Sequence, residues 1–490
     1  MNIQTPSQIK LLRLLFTLLG ILALTTSTGL SAIPNRTHSP LALVRVDFQN
    51  SSDLQRFAAT GLPVYAQLQT AQGSSYLLLP ATPEQQNLLS HLGFAVRVLD
   101  ENAGVAGMGY YLLYARDRGQ IRQASQSVMI LEQGGRQAIA KAAPEQAERL
   151  GAPGIEIVQL KLHPLVVPQT TVENLPEVIN PDPVIQGMID QVDSQTVYDY
   201  DAGLSGEFPV LIGGEPYTIT TRYTDTSEPI QKATQYTYEH FEALGLPVQY
   251  HTYNLGGVKR NVVAEQPGVS QPERIFLVTA HLDSSSDNPY DLAPGADDNA
   301  SGSIGVLIAA DILSQYSFDC TIRYALFTGE EQGLVGSYEY AQAASSNGDD
   351  IEGVLNLDMI AHNSDLLPQI ELHTRPSNQS DLAIANLFSD VVDAYDLNLV
   401  PEIVQDGISA SDHYSFWQVG YPAILGIEDF DDFTPYYHTT GDQVETLDME
   451  YFTTFVKAAV GTLAHMGCPL GAVIVYPNQV FFPLLRAEAP

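Results

Sequence analysis

Two glutamates, Glu330 and Glu331, stand side by side in the segment TGEEQGLVGS at 328–337, directly after the apolar run TIRYALFT. Neighbouring carboxylates repel each other, and on a strand they would point to opposite faces, so an ordinary surface turn gives no reason to pair them. A bound cation does. Four other segments carry residues of the same kind: His281 and Asp283 follow RIFLVTA, Asp297 and Asp298 stand in glycine-flanked GADDNASG, Asp358 follows GVLNL, and His438 lies in PYYHTTGD. Imidazole and carboxylate without thiolate suit zinc in a hydrolytic site, with manganese or cobalt as other occupants. Two ions about 3.5–4 Å apart would need a carboxylate between them, and could together hold a hydroxide and polarise a carbonyl. Taken singly, each of these carboxylates reads as a helix cap or turn residue; the set acquires meaning only if one edge of a fold gathers it.

The elements that would do so are legible from residue 185 onward. RIFLVTA is followed by NASGSIGVLIAADILSQY, TIRYALFT by GLVGSYEYAQAA, and GVLNL by a helical stretch around SDLAIANLFSDVVDAY, before a last run, YPAILGI. Runs that are apolar throughout, interleaved with helices, predict an α/β fold with a mixed, mostly parallel sheet covered by helices on both faces. Ligands in such sheets gather beyond the carboxyl ends of the strands, where every candidate above falls.

Ahead of this part, residues 42–100 read strand, helix, two strands, helix, strand, the ferredoxin-like βαββαβ order. Residues 108–163 repeat it: ATPEQ at 81–85 matches AAPEQ at 142–146, and FAVRVL at 94–99 lines up with IEIVQL at 155–160 at the same offset of 61. A duplicated α+β segment is therefore expected. Pro164, Pro168, Pro176, Pro181 and Pro183 mark 164–184 as a linker, leaving 185–470 as the catalytic domain and 471–490 as a tail. Residues 1–32 combine Lys10 and Arg13, the run LLFTLLGILAL, and small residues up to Ser31 and Ala32, the pattern of a signal peptide. A secreted, extracellular protein follows, with the periplasm or cell surface as variants, and no membrane association after signal removal. Cys320 and Cys468 are too few for a disulfide scaffold or a thiolate zinc site; whether they pair stays open.

Charge narrows the partners. Of a formal net charge of −35, residues 1–165 hold 13 Lys+Arg against 10 Asp+Glu, whereas 166–490 hold 9 against 47. That field excludes nucleic acid and anionic membrane as natural partners, and it favours metal ions and amines.

With these segments in hand, the chain resembles the di-zinc aminopeptidases of metallopeptidase family 28, of the bacterial leucyl aminopeptidase and aminopeptidase Y type. AHLDS, GADDNASG, TGEEQGLVGS, NLDMI, SDH at 411–413 and YHTTGD occur in the family's order, over roughly residues 185–468. The resemblance implies two zinc ions per chain, His281 and Asp358 holding one, Glu331 and His438 the other, with Asp298 rather than Asp297 bridging. It makes Glu330 the general base that takes a proton from the attacking water and returns it to the departing amine. Asp283, two residues after a ligand histidine, would orient the His281 imidazole with its carboxylate, and Tyr437 would donate to the oxyanion. Ala410 replaces an arginine that some relatives carry before SDH, which puts substrate contacts made by that arginine in doubt.

The function so implied is that of a zinc-dependent exopeptidase, an aminopeptidase acting on peptides with a free N-terminus. A carboxypeptidase or dipeptidase, a glutaminyl cyclase-like enzyme, or a non-catalytic binding module on the same fold are the alternatives. The acids Glu428, Asp429, Asp431 and Asp432 before His438 favour a cationic amine over a carboxylate. Ser411, Asp412 and His413 are adjacent and cannot form a serine triad, and no G-x-S-x-G elbow occurs; His413 is expected to be structural. Residues 42–165 supply none of these ligands and are expected to dock in cis as a propeptide-like domain.

Overall fold

The computed structural model describes residues 41–468, apart from 70–73, 116–117, 135–136, 151–154, 166–174, 176–178, 366, 377 and 406. The expected signal peptide, most of the proline-rich linker and the C-terminal tail lie outside the described residues.

Two small antiparallel sheets come first. β1 (Ala42–Phe48), α1 (Ser51–Ala58), β2 (Pro63–Val64), β3 (Ala66–Gln69), β4 (Ser75–Ala81), α2 (Pro83–His91) and β5 (Ala95–Asp100) build a sheet of order β3-β4-β1-β5. β6 (Gly109–Ala115), α3 (Arg118–Ala124), β7 (Met129–Gly134), β8 (Gln137–Ala142), α4 (Pro144–Glu148) and β9 (Ile155–Leu160) build a second, of order β7-β8-β6-β9. Alternation along the strands divides their side chains between two faces. Val44, Val46, Leu77 and Leu79 pack with Leu54, Phe57 and Leu89 of the helices. Leu43, Tyr76 and Leu78 instead share a cluster with Tyr110, Leu112, Tyr114, Val158 and Leu160 of the second sheet. Polar bonds join the sheets as well: Arg45 Nη1 donates to Glu132 at 2.6 Å, and Lys141 Nζ to Asp100 at 2.6 Å.

β10 (His163–Pro164) pairs with β2, and the chain continues through α5 (Pro183–Ile189), α6 (Ser194–Leu204), a hairpin of β11 (Val210–Ile212) and β12 (Glu215–Tyr217), and α7 (Glu228–Ala243). The large sheet then forms from β13 (Val248–Asn254), β14 (Val258–Gln266), β15 (Gln271–His281), β16 (Cys320–Phe327), β17 (Asp350–Leu357), β18 (Gln369–His373), β19 (Val400–Val404) and β20 (Ala423–Glu428). Its order is β13-β14-β16-β15-β17-β20-β18-β19, and the central run β16-β15-β17-β20 is parallel throughout. The expected mixed, mostly parallel sheet is thus present.

Helices α8 (Gly302–Leu313), α9 (Val335–Asn347), α10 (Gln379–Ala394), α11 (His413–Gln418) and α12 (Met449–Met466) cover both faces. On β15, Phe276, Val278 and Ala280 join the core of α8, α10 and α12, while Ile275 and Leu277 turn towards α9 and α11. Each such fully buried large side chain contributes about 1.5–3 kcal/mol. α8, apolar around its whole circumference, lies buried in this core. Its one carboxylate, Asp311, is taken up by the Tyr200 hydroxyl at 2.8 Å and His240 Nε2 at 2.7 Å. Cys320 and Cys468 form a disulfide, which ties the end of α12 to the start of β16. No helix among the described residues is long and apolar enough to cross a membrane.

Candidate active site

The parallel strands deliver the candidates at their carboxyl ends. β15 ends at His281, β16 runs into the turn bearing Glu330 and Glu331, β17 is followed by Asp358, and His438 lies beyond β20. Asp298 enters from the turn at 296–301 that opens α8. Gly295 precedes it with φ +52°, and a Cβ there would stand 2.2 Å from the Asp298 carbonyl oxygen, so this turn requires glycine.

Asp298 stands between two halves. Its Oδ1 lies 3.3 Å from His281 Nε2, and its Oδ2 lies 3.1 Å from His438 Nε2. His281 Nε2 is also 3.3 Å from Asp358 Oδ1, and His438 Nε2 is 2.9 Å from Glu331 Oε2. The ligating atoms of His281, Asp298 and Glu331 lie within 4.8 Å of one another, as do those of His281, Glu330 and Asp358.

Several residues hold these groups in place. The Ser411 hydroxyl donates to Asp358 Oδ2 at 2.5 Å and accepts from Asn356 Nδ2 at 2.7 Å. Asp442 accepts the backbone N–H of Asp297 at 2.9 Å and of Asp298 at 3.0 Å. Arg222, fully buried, donates to the carbonyls of Leu282 at 2.7 Å, Leu204 at 3.1 Å, Pro294 at 2.6 Å and Gly295 at 2.9 Å, gripping the chain before the Asp298 turn.

The expectation for Asp283 needs correction. His281 Nδ1 is hydrogen-bonded to the Asp283 main-chain carbonyl at 3.0 Å, whereas the nearest carboxylate oxygen is 3.8 Å away. That carboxylate accepts from Thr224 Oγ1 at 2.8 Å, Gly329 N at 2.9 Å and Glu330 N at 3.4 Å. A buried carboxylate has about four acceptor positions to fill, and the backbone amides of the neighbouring turn fill them better than one imidazole N–H. Asp283 thereby fixes the turn that carries Glu330, and its carbonyl orients the imidazole.

The residues present fit a cation. His281 Nδ1 is committed to the Asp283 carbonyl, and its Nε2 faces carboxylate oxygens that attract positive charge to this point, a proton or a metal ion: against burial, Asp358 and its neighbours hold the imidazole well above its ordinary pKa. Burial drives the Glu330 carboxyl well above its ordinary range, and Asp358 and Glu331 push it further against the pull of His281. Burial likewise lifts Glu331 to about 7, although His438 opposes it. Among the described residues no lysine or arginine pairs with Asp298, Glu330, Glu331 or Asp358, and Glu331 Oε1 is buried with no donor. A buried acidic cluster with two imidazoles, in which no lysine or arginine among the described residues forms an ion pair with the carboxylates, is a donor set that zinc takes.

Other expectations meet different surroundings. The Tyr437 ring stacks on His438 with centroids 3.8 Å apart, and its hydroxyl donates to Glu156 of β9, a residue that no local pattern assigns to this site. His413 Nε2 donates to the Ile408 carbonyl at 2.8 Å, and burial pushes its pKa down to about 3, so it stays neutral and structural, as expected. Of the acids before His438, Glu428 is fully buried and accepts from His362 N at 3.2 Å and Thr434 N at 2.9 Å. Asp429 caps Asp431 N, and Asp432 takes Ser364 N at 2.6 Å. Glu428 is claimed by buried backbone donors and Asp429 and Asp432 by loop amides nearer the surface, and none of the three lines the cavity. Ser411 and Asp442, which no spacing rule singles out as supports, occur inside the quoted SDH and YHTTGD segments.

The model of Peptidase family M28 matches residues 261–462. A probable leucine aminopeptidase of Trichophyton verrucosum (strain HKI 0517) is 32% identical over 216 residues, which are 42% of this chain and 57% of that protein. Leucine aminopeptidase 1 of Paracoccidioides brasiliensis (strain Pb03) is 25% identical over 315 residues, 61% of this chain and 77% of the relative. Among solved structures, the LapA aminopeptidase of Legionella pneumophila superposes with a TM-score of 0.57 at 18% identity, covering 74% of this chain and 99% of that one. The chain thus spans little more than half the length of the first of these relatives, while the likeness to LapA establishes the fold. The stretch similar to peptidase family M28, residues 261–462, carries His281, Asp298, Glu330, Glu331, Asp358 and His438.

Proposed function

We propose that this protein is a zinc-dependent aminopeptidase that removes N-terminal residues from peptides and uses two zinc ions per chain. The observation that carries the reading is Asp298, with one oxygen turned to His281 and the other to His438, each imidazole backed by its own carboxylate. In this reading His281 and Asp358 would hold one ion and Glu331 and His438 the other, with Asp298 available to both. Bound zinc supplies Lewis acidity, which lowers the pKa of a water and polarises the scissile carbonyl. Everything else falls to the chain. Glu330 accepts the proton of the attacking water and delivers it to the leaving nitrogen, held for this by the hydrogen bond from its own amide to Asp283. The Tyr437 hydroxyl donates to the oxygen that gains charge.

The lining of the cavity supports the choice of end. Met359, Ile408, Ile427 and Phe430 form an apolar wall beside the acidic cluster, which suits an aliphatic side chain next to a free amine. Among its described lining residues none is lysine or arginine, so no fixed positive charge of the lining favours a substrate that offers its carboxyl end. The names of the relatives point the same way. The test compares a leucyl anilide with its N-acetylated form, with zinc and with chelator. Cleavage of the free amine alone, abolished by chelation, is expected. Equal cleavage of both forms, or activity indifferent to chelation, would sink the reading.

A further inference from the structure

The second N-terminal sheet reaches into this site. β9 is an edge strand of that sheet, and Glu156 on it lines the same cavity as His281, Asp298, Glu330, Asp358 and His438. Its carboxylate takes the hydrogen bond of the Tyr437 hydroxyl, the donor assigned above to the substrate's carbonyl oxygen. Around it the sheet is fastened to both walls, by β9 on one and by Tyr114 of β6 on the other. Gln159 N lies 2.8 Å from where a Cβ on Gly333 would be, so the β9 backbone rests directly on the TGEEQGLVGS turn. On the other wall Ser409 N donates to Tyr114 Oη at 2.9 Å, between the cavity residues Ile408 and Ala410. With the sheet in place, the Glu156 carboxylate occupies the position beside Tyr437 that a substrate's carbonyl group would have to take.

We propose that residues 109–160 act as an inhibitor in cis, with β9 closing the mouth of the site and the Glu156 carboxylate standing in for the carboxylate of a product amino acid. The inference rests on the peptidase reading only for what the site binds. A working enzyme needs the substrate where Glu156 now lies, so the sheet must leave before turnover. The apparent affinity for any ligand of the site then scales with the fraction of molecules in which the sheet has left.

The test uses the full chain with a specific protease sequence inserted between Leu165 and Pro181. Binding of L-leucine is followed by calorimetry in the presence of zinc, and leucyl anilide turnover is measured alongside, before and after the cut and removal of the N-terminal fragment. The expected result is a gain of at least about 100-fold in leucine affinity and in turnover after removal, and of at least about tenfold in uncut Glu156→Ala. Thermal melting of Glu156→Ala and of the milder Glu156→Gln guards against misfolding, since either variant suffices. Equal leucine binding by cut and uncut chains would overturn the proposal. So would weaker binding by a folded Glu156→Ala, which would make Glu156 a permanent part of the substrate site. If removal opens leucine binding but no aminoacyl substrate is hydrolysed, the inhibitor stands and the aminopeptidase reading fails. If cut and uncut chains hydrolyse equally, the reverse holds.

Discussion

Ser411→Ala isolates how much of the ligand set depends on a residue that touches no ion. The Ser411 hydroxyl sits between Asn356 and Asp358, donating to the carboxylate at 2.5 Å and accepting at 2.7 Å. Its removal deletes one hydrogen bond to a buried charge, worth about 1.5–3 kcal/mol, and strands the Asn356 amide donor in the core at a further cost of about 1–3 kcal/mol. Asp358 is then free to turn away from His281, and losing a partner of this kind lowers metal affinity by about 10–100-fold. The assay is zinc competition against a chromogenic chelator, read beside thermal melting. Ser415→Ala is the control: its hydroxyl bonds Ser337 Oγ at 2.9 Å in the same buried region but meets no proposed ligand. Both variants should melt earlier, and only Ser411→Ala should release zinc more readily. Unchanged zinc affinity in a destabilised Ser411→Ala would show that the hydroxyl merely packs, and the account of how Asp358 is aimed would be wrong.

Glu330→Gln should keep its zinc while kcat falls by at least about 100-fold, and Glu331→Gln should also lose metal, as metal analysis and steady-state kinetics on the two variants would reveal. Lys161 offers a pH test: burial, only partly offset by Glu339 at 3.8 Å, depresses its pKa from 10.5 to about 8. The unfolded chain therefore holds the extra proton between about pH 8 and 10.5, so stability should rise with pH across that window, by up to about 3 kcal/mol. Lys161→Met should flatten the rise in denaturant melts taken from pH 7 to 10. The Cys320–Cys468 disulfide closes a loop with a sequence separation of 148, so replacing both cysteines by serine should destabilise by up to about 5 kcal/mol, seen as a lower denaturation midpoint.

What the sequence made legible follows from local rules. His281, Glu331, Asp358 and His438 could be found because parallel strands announce themselves as apolar runs, and their carboxyl ends share one edge whatever the loops do. Contacts made across long separations left no such mark. Glu156 meets Tyr437 across 281 positions, and the two cysteines could be paired only once α12 was seen to return to the foot of β16. The acids at 428–432 show a different limit: a charge is visible in the sequence, but the backbone amides that claim it are not. For Asp283, spacing identified the residue and misassigned its atoms, since carbonyl and carboxylate are equally close in sequence to His281.

Arg222 bears on the order in which the molecule is assembled. Small zinc modules remain unfolded until the ion arrives, because nothing else organises their ligands. Here a permanently charged side chain, rooted in the carbonyls of Leu204, Leu282, Pro294 and Gly295, completes the turn ahead of Asp298 with protein atoms alone. Folding and metal uptake then become separate events in time. A chelated chain would keep its backbone, wait in a competent shape, and recover its ions on return to zinc without passing through the unfolded state.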